Sequence, residues 1–250
     1  MKRSWMNPLI GIAAMLTLWW AGASAGLVNP ILLPSPAAAA RALYAGLADG
    51  ELGHDIAVTF GRTLVAFVIA AAIAIPLGIA LGADAEVYRS MEFVVDFFRS
   101  TPVSAMFPLF LVLFGVGDRT KIAIAVFGAS LVILFNVAYG VMNSRRTRVL
   151  AARIMGASRL RTLWDVYFWE SLPQTFVGLR NGISIALVVI IVAEMFIGSN
   201  DGLGYLLVQS QMTFDMPTLY ACIFCAGALG YGLNWLFLAL ERRYVHWGGK

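Results

Sequence analysis

Residues 56–82 read IAVTFGRTLVAFVIAAAIAIPLGIALG, and this stretch decides the class of the protein. A helix needs about 20 mostly apolar residues to cross the roughly 30 Å of hydrocarbon in a bilayer. Residues 56–82 exceed that length with a single charge, at Arg62, and Pro76 is tolerated in a helix whose neighbours satisfy the freed carbonyl. The stretch is therefore predicted to be a membrane-spanning helix.

Five further segments have the length and composition of a span. They lie at residues 8–28, 102–117, 120–143, 176–198 and 218–240. The segment 102–117 is the shortest of them, starts in a proline-rich stretch and contains Pro108. We therefore predict an all-α, polytopic membrane protein of about six transmembrane helices, in which residues 1–250 form a single transmembrane domain. A helix on the membrane surface is predicted at 35–52, between the first two spans, with Pro36 near its start.

The first segment has a second interpretation. Lys2 and Arg3 precede an apolar run that ends in Ala23-Ser24-Ala25, which is the pattern of a secretory signal peptide and its cleavage site. The apolar run is long for the core of a signal peptide. This length favours retention of the segment as a span.

Composition excludes several other classes of protein. The chain is 60% apolar and 13% charged, with a mean hydropathy of +0.80. Soluble domains are about 45–50% apolar and about 25% charged, so these charges cannot solvate the surface of a 27.1 kDa globule. A soluble enzyme, a disordered tail and a nucleic-acid-binding module are therefore excluded, and we expect lipid rather than nucleic acid around the chain.

The basic residues are distributed unevenly between the two sides of the predicted spans. Of the 18 Lys and Arg residues, 14 fall on the side that holds both termini and the segments 83–101 and 144–175, which leaves 4 on the other side. Loops rich in Lys and Arg stay in the cytoplasm. Both termini are therefore predicted to be cytoplasmic.

The sequence has few motifs for nucleotide binding, metal binding or catalysis. The chain contains no G-x-x-x-x-G-K-[ST] loop for the phosphates of ATP and no H-E-x-x-H metal motif, and it has only two histidines. Cys222 and Cys225 form a C-x-x-C in the middle of a span, where they are interpreted as small apolar residues. We expect no metal and no cofactor bound to this chain, and an energy source in another chain.

The segment 144–175 is the longest predicted loop on the basic side. Gly156 can end or bend a first helix, and Ser158 can cap a second one. Thr162 with Asp165 has the spacing of a capping box, and the pair Leu172-Pro173 is predicted to end this element before the fifth span. The pattern predicts a helix–turn–helix that protrudes from the membrane. An amphipathic loop that rests on anionic lipid explains the composition equally well.

The sequence LAARIMGAS at 150–158, with Leu172-Pro173 beyond it, resembles the cytoplasmic loop of ABC-importer permeases. In that family the loop docks in a groove of the ATPase subunit and transmits its closure. The resemblance assigns this coupling role to Ala151, Ala152, Gly156, Ala157, Ser158, Leu172 and Pro173. The family motif usually has glutamate before the two alanines, where this chain has Leu150, so the contact with the ATPase is expected to be more apolar or to take its acid from elsewhere.

Two other stretches narrow the resemblance to one branch. The third span of the nitrate/sulfonate/taurine permeases is similar to the stretch RSTPVSAMFPLF at 99–110, followed by FGVG at 114–117. AEMF at 193–196 and GLGY at 202–205 resemble the end of the fifth span in that branch and the loop beyond it. The three motifs occur in the expected order, and the matches together cover about residues 55–245.

The resemblance also implies partners. Two permease chains, identical or closely similar, would surround a central path above two ABC ATPase subunits, which bind the ATP and Mg. A periplasmic or lipid-anchored solute-binding protein would deliver the solute, a small anion such as a sulfonate, taurine or nitrate. The permease itself would be a transport subunit and not an enzyme.

Candidate path residues follow from the same analogy, on the third and fifth spans. Successive residues of an α-helix are about 100° apart around its axis, so the side chains of Asn181, Ser184 and Glu194 fall within an arc of about 140°. Hydrogen bonding between helices explains Asn181 and Ser184 at least as well. Glu194, near the outer end of its span, is interpreted as an interfacial acid that reaches water in preference to a gate contact.

Met106 and Phe110 on the third span are candidates for an apolar constriction, and ordinary packing is the favoured alternative. The sequence contains no cluster of arginines that would indicate a dedicated anion site, so the selectivity for the solute is expected to lie in the binding protein.

The alternative function is that of a secondary transporter or channel without an ATPase. Such a protein would show internal repeats or an acid at mid-membrane, and the sequence has neither.

Overall fold

A computed structural model describes residues 6–26, 29 and 31–245, and every regular element among them is helical, as predicted. The α-helices are α1 Met6–Ser24, α2 Pro36–Ala48, α3 Glu51–Ala83, α4 Ala85–Ser100, α5 Phe107–Phe114, α6 Asp118–Met142, α7 Arg146–Ile154, α8 Arg159–Thr162, α9 Trp169–Phe196, α10 Leu203–Met212 and α11 Met216–Tyr244. A 3₁₀ turn at Val103–Met106 precedes α5, and a π-helical turn at Leu163–Phe168 joins α8 to α9.

Four helices in the described part of the chain are long and apolar enough to cross a membrane. They are α3, α6, the continuous stretch Arg159–Phe196 and α11. A fifth is added if α4 and the segment Val103–Phe114 together form one broken span. Helix α1 covers most of the predicted span 8–28, whose residues 27 and 28 lie outside the described residues. The count of six spans stays a prediction.

The region around the third predicted span differs from the prediction. Residues 83–101, predicted as a loop, contain helix α4, whose N-terminus is capped by Asp84 through Oδ1, 3.0 Å from the backbone nitrogen of Glu86. The segment 102–117 is helical only at Val103–Phe114 and meets α4 at 91°. Pro102 explains the break, because it has no N–H for a helical hydrogen bond and disfavours helical backbone at Thr101.

The chain folds as two compact units, and its organisation as one domain stays a prediction. The first unit comprises residues 1–58 and 200–227. Its core contains Leu52, Leu203 and the two free cysteines Cys222 and Cys225, all buried. The predicted helix at 35–52 is present here as α2, capped by Ser35.

The second unit comprises residues 59–199 and 228–250, and α3, α6 and α9 pack together in its core. Glycines allow these helices to approach closely. A Cβ atom at Gly78 or Gly82 would lie 2.8 or 2.6 Å from a backbone oxygen of α6, and one at Gly182 would lie 2.6 Å from Ile133 Cγ1. Gly78 and Gly82, like Gly178 and Gly182, have the small-xxx-small spacing typical of helix contacts in membranes.

The contact at Gly82 predicts a large effect for a single methyl group. Gly82→Ala is expected to destabilise the protein by about 1–3 kcal/mol, because the new Cβ would overlap the carbonyl oxygen of Ala138 and the backbone of α6 must shift. The change is measured as a lower Tm in lipid nanodiscs. Gly61→Ala on the same helix is the matched control, since nothing lies within 4 Å of a Cβ there. Equal Tm values for the two variants would refute the close packing.

Candidate coupling element and buried charges

The segment 144–175 contains the predicted helix–turn–helix. Helix α7 runs from Arg146 to Ile154, a tight turn follows, and α8 begins at Arg159. Ala152 is buried at 8% exposure, whereas Ala151 beside it is exposed. The helical pair is thus anchored on one side and open on the other.

Gly156 makes the turn between the two helices. Its φ of +79° lies in the left-handed region, which side chains with a Cβ rarely adopt. The N–H of Gly156 donates to the Arg153 carbonyl and the N–H of Ala157 to the Ala152 carbonyl, both at 3.0 Å. This pair of hydrogen bonds is a Schellman motif, which ends a helix and fixes the direction of the chain beyond it.

Ser158 caps α8 as predicted, because its Oγ accepts a hydrogen bond of 3.3 Å from the backbone N–H of Arg161. The predicted capping box of Thr162 and Asp165 is wrong. The Thr162 hydroxyl donates to the Ser158 carbonyl, and the Asp165 carboxylate pairs with the Arg161 side chain at 3.1 Å. Thr162 lies in the last turn of α8 and not at the start of a helix, so no free N–H is within its reach.

The prediction that Leu172-Pro173 ends the element before the fifth span is wrong as well. Helix α9 begins at Trp169 and contains Pro173, and Leu172 is helical and half-buried. The missing N–H of Pro173 frees the carbonyl of Trp169, at the end of the π-helical turn Leu163–Phe168. Such turns change the hydrogen-bond pattern of a helix locally, so that a proline can follow without ending it.

The coupling element presents apolar side chains to the surroundings. Ile154 is 85% exposed and Met155 is 80% exposed, at the turn that Gly156 makes. The exposed set, here called the loop apolar face, consists of Leu150, Ile154, Met155, Leu160 and Trp164. An exposed apolar patch on a folded element marks an interaction site.

The structure does not bring the three predicted path residues of the fifth span together. Asn181 is exposed, and the Ser184 hydroxyl donates to the carbonyl of Arg180 at 3.1 Å within the same helix. At 1.5 Å per residue, Glu194 lies about 20 Å beyond Asn181 and about 15 Å beyond Ser184 along the helix axis. A shared arc on the helix therefore does not make these residues one site.

Phe110 on the third predicted span takes part in aromatic packing. Its ring lies 5.8 Å from those of Phe114 and Phe127, and it packs on the buried cluster that includes Phe107. Met106, half-buried, immediately precedes α5. A role of either residue as a constriction stays a prediction.

Glu194 is not an interfacial acid that reaches water, and that interpretation is wrong. The residue is 1% exposed, and its Oε1 lies 2.8 Å from Nη1 of Arg62 on α3. The hydroxyl of Thr59, fully buried, lies 2.9 and 3.1 Å from the two carboxylate oxygens. Charged side chains within membrane-spanning helices are costly, and they are usually paired with one another.

Arg62 also forms a second ion pair, with an acid that it shares with Lys121. Its Nη2 lies 2.7 Å from Oδ1 of Asp118, the first residue of α6, and Nζ of Lys121 lies 3.2 Å from the same oxygen. Lys121 also donates to the Ser199 hydroxyl at 2.8 Å and is only 2% exposed. We call Arg62, Asp118, Lys121 and Glu194 the buried charge cluster. From the sequence alone, Arg62 and Lys121 were counted only among the four basic residues outside the cytoplasmic side, although Arg62 stands alone in an apolar stretch.

Comparison with known proteins decides the family. The family model described as "Binding-protein-dependent transport system inner membrane component" matches residues 74–246. The chain belongs to this family. The permease is 28% identical over 244 residues to the taurine transport system permease protein of Escherichia coli, covering 96% of this chain and 88% of that protein. It is also 28% identical to a putative aliphatic sulfonates transport permease protein of E. coli, covering 97% of this chain and 90% of the relative.

The fold of the permease agrees with this result. It is similar to a chain of the inward-facing MetNI methionine ABC transporter, with a TM-score of 0.70 and 20% identity over 78% of this chain and 96% of that one. The resemblance to the ABC-importer permeases of the nitrate/sulfonate/taurine branch is thereby confirmed. The protein is a multi-pass permease subunit of an ABC importer, which rules out a secondary transporter or channel.

Proposed function

We propose that this permease imports a small organic anion of the sulfonate type, such as taurine, with nitrate as the inorganic alternative. The observation that carries the proposal is the similarity, over nearly the whole chain, to permeases named for taurine and for aliphatic sulfonates. The solute would cross between two permease chains, most simply two copies of this one, in the bacterial inner membrane.

ATP hydrolysis belongs to a separate partner in this proposal. The chain has no phosphate-binding loop, and ATP and Mg are bound by two ABC ATPase subunits, one below each permease. This chain is a transport subunit without catalytic residues, metal or cofactor of its own. Both of its termini lie on the cytoplasmic side, with the ATPases, as the excess of Lys and Arg on that side favours.

The coupling element transmits the motion of the ATPase. The loop apolar face, around Ile154 and Met155, docks in a groove of that subunit, and the Gly156 turn holds the two short helices at a fixed angle. Leu150 is 56% exposed and belongs to this face, which supports a contact more apolar than that of relatives with glutamate there. Ala151 adds a small exposed residue, so that the partner can approach the backbone of α7 closely.

Transport follows alternating access. ATP binding closes the ATPases, their grooves push the two coupling elements, and the spans turn the path toward the binding protein outside. The solute enters as the binding protein opens, and ATP hydrolysis returns the inward-facing state. The path residues of this proposal are Met106, Phe110, Asn181 and Ser184. Glu194, also a candidate for the path, is left out because it is buried against Arg62.

Exchange of the binding protein tests where selectivity lies. Uptake of radiolabelled taurine and of nitrate is measured in proteoliposomes that contain the permease, its ATPase and one of two binding proteins, specific for taurine or for nitrate. We expect the solute preference to follow the binding protein by at least about tenfold, because discrimination rests on its contacts and not on the path. Unchanged preference after the exchange would place selectivity in the permease, and absence of uptake of either anion would contradict the proposed solute class.

A further inference from the structure

A cavity of about 720 Å³ lies between the end of α3, the start of α4 and the coupling element. Both cations that line it, Arg153 and Arg159, belong to the coupling element. Helix α3 lines the cavity with apolar residues only, which are Leu77, Ala80, Leu81 and Ala83. The cavity thus combines an apolar wall with two positive charges.

The cavity lies at the level where α3 leaves the membrane. Leu77 and Leu81 belong to the last two turns of α3, which is long and apolar enough to be a span and ends at Ala83. This end is on the side of the predicted spans that carries most of the Lys and Arg residues. Tyr167 also lines the cavity, and tyrosine is enriched where a membrane meets water. A ligand at this level meets hydrocarbon at one end and water at the other.

The two arginines are available to a ligand. Within the described part of the chain, neither Arg153 nor Arg159 forms an ion pair with an acid. Asp84 is the acid that lines this cavity, and its Oδ1 accepts hydrogen bonds of 3.0 and 3.4 Å from the backbone N–H groups of Glu86 and Val87. The carboxylate thereby caps the N-terminus of α4, and the arginines keep their charge for another anion.

A second cavity adds to the positive charge. Its volume is about 420 Å³, and it shares Ala83, Arg153 and Tyr167 with the first cavity. Arg146 lines it too, and its described lining residues include no acid. Basic pockets beside membrane-spanning helices bind the head groups of anionic lipids.

We propose that the larger cavity binds an anionic phospholipid, whose phosphate contacts Arg153 and Arg159 while an acyl chain lies against Leu77 and Leu81. None of the residues of the loop apolar face lines this cavity, so the lipid and the ATPase use different sides of the coupling element. The bound lipid connects the coupling element to the end of α3. The site depends neither on the solute of the proposed function nor on its path.

Lipid titration tests the site. The permease is purified in the complex in which it occurs in its host, stripped of lipid in detergent, and titrated with phosphatidylglycerol or with phosphatidylcholine of the same acyl chains. Native mass spectrometry counts the bound lipids. We expect one phosphatidylglycerol per permease chain and about tenfold weaker binding of phosphatidylcholine, whose head group has no net charge.

The soluble head group distinguishes a lipid from a free phosphate. Glycerol 3-phosphate carries the phosphate without the acyl chains, and we expect that it does not displace phosphatidylglycerol. Displacement at similar concentrations would show that the cavity binds a free phosphate compound, and equal affinities for the two lipids would show that it does not recognise charge. Either result would overturn the proposal.

Variants of the arginines distinguish a site from general attraction to a basic surface. Arg153→Gln is expected to weaken the binding of phosphatidylglycerol about fivefold, and Arg153→Lys, which keeps the charge, is expected to retain it. Arg161→Gln is the matched control, because Arg161 is exposed on α8, pairs with Asp165 and lines neither cavity. An equal loss of affinity in Arg153→Gln and Arg161→Gln would overturn the proposal.

A variant of the apolar wall tests the site without a change of charge. Ala80→Phe would fill the cavity from α3, where Ala80 is exposed, and is expected to weaken the binding of phosphatidylglycerol even if Arg153→Gln fails to fold. Ala72→Phe on the same helix is the control, since Ala72 is exposed and does not line the cavity. Wild-type affinity in Ala80→Phe would show that the lipid lies elsewhere.

Discussion

Gly156→Val is expected to abolish the ATP hydrolysis that is coupled to transport while the protein still inserts and folds. The φ of Gly156 is +79°, and left-handed backbone costs about 1–2 kcal/mol for a residue with a Cβ and more for a β-branched one. Nothing lies within 4 Å of a Cβ at this position, so the effect comes from backbone conformation and not from a clash. The valine would break the Schellman hydrogen bonds of Gly156 and Ala157 and turn α8 away from α7.

The measurement compares the ATPase rate with and without loaded binding protein in proteoliposomes, beside the amount of folded permease. Gly156→Asn is the matched control, because asparagine tolerates left-handed backbone, and it is expected to retain most of the coupling. If the valine variant couples as well as the wild type, the turn does not position a docking element. If asparagine fails as completely as valine, coupling requires the absence of any side chain at position 156, and the left-handed backbone is not the cause of the loss.

Glu194→Met is expected to lower the stability of the permease by about 3–5 kcal/mol, because Arg62 would be left buried without its buried partner. The double variant Arg62→Met/Glu194→Met should recover most of this loss. Two apolar side chains of similar length leave no uncompensated charge in the core, and replacement of a whole buried pair is often neutral.

Thermal unfolding in nanodiscs measures the stability of the single and of the double variant. The matched control is Arg161→Gln/Asp165→Asn, which removes an exposed pair spaced i, i+4 and should cost only about 0.3–0.5 kcal/mol. A single variant as stable as this control would show that the pair of Arg62 and Glu194 is open to water. A double variant no better than the single one would show that the loss comes from packing.

The features that sequence reasoning predicted correctly depend on neighbours along the chain. The apolar stretch 56–82 predicts most of α3, since length and hydropathy suffice for a span. Gly156 and Ser158 were identified because the end of one helix and the cap of the next are formed by hydrogen bonds over three to five residues.

The features that sequence reasoning missed depend on distant contacts. Arg62 and Glu194 are 132 residues apart, and their pairing requires the relative rotation of α3 and α9, which periodicity alone does not provide. The close contacts at Gly82 and Gly182 had a signal in the sequence, the GxxxG spacing, that predicts contact but not the partner helix. At Pro173 the rule that proline ends a helix failed because the π-helical turn before it changes the hydrogen-bond pattern.

The most direct test of the account is a pull-down of the tagged permease in mild detergent from its own host, with mass spectrometry and an ATPase assay, for the wild type and for Gly156→Val. We expect a P-loop ATPase that hydrolyses ATP to co-purify with the wild type at about one copy per permease chain. We expect Gly156→Val, equally abundant in the membrane, to lose this partner. Recovery of the wild-type chain alone, without ATPase activity, would contradict the assignment of residues 144–175 as the coupling element.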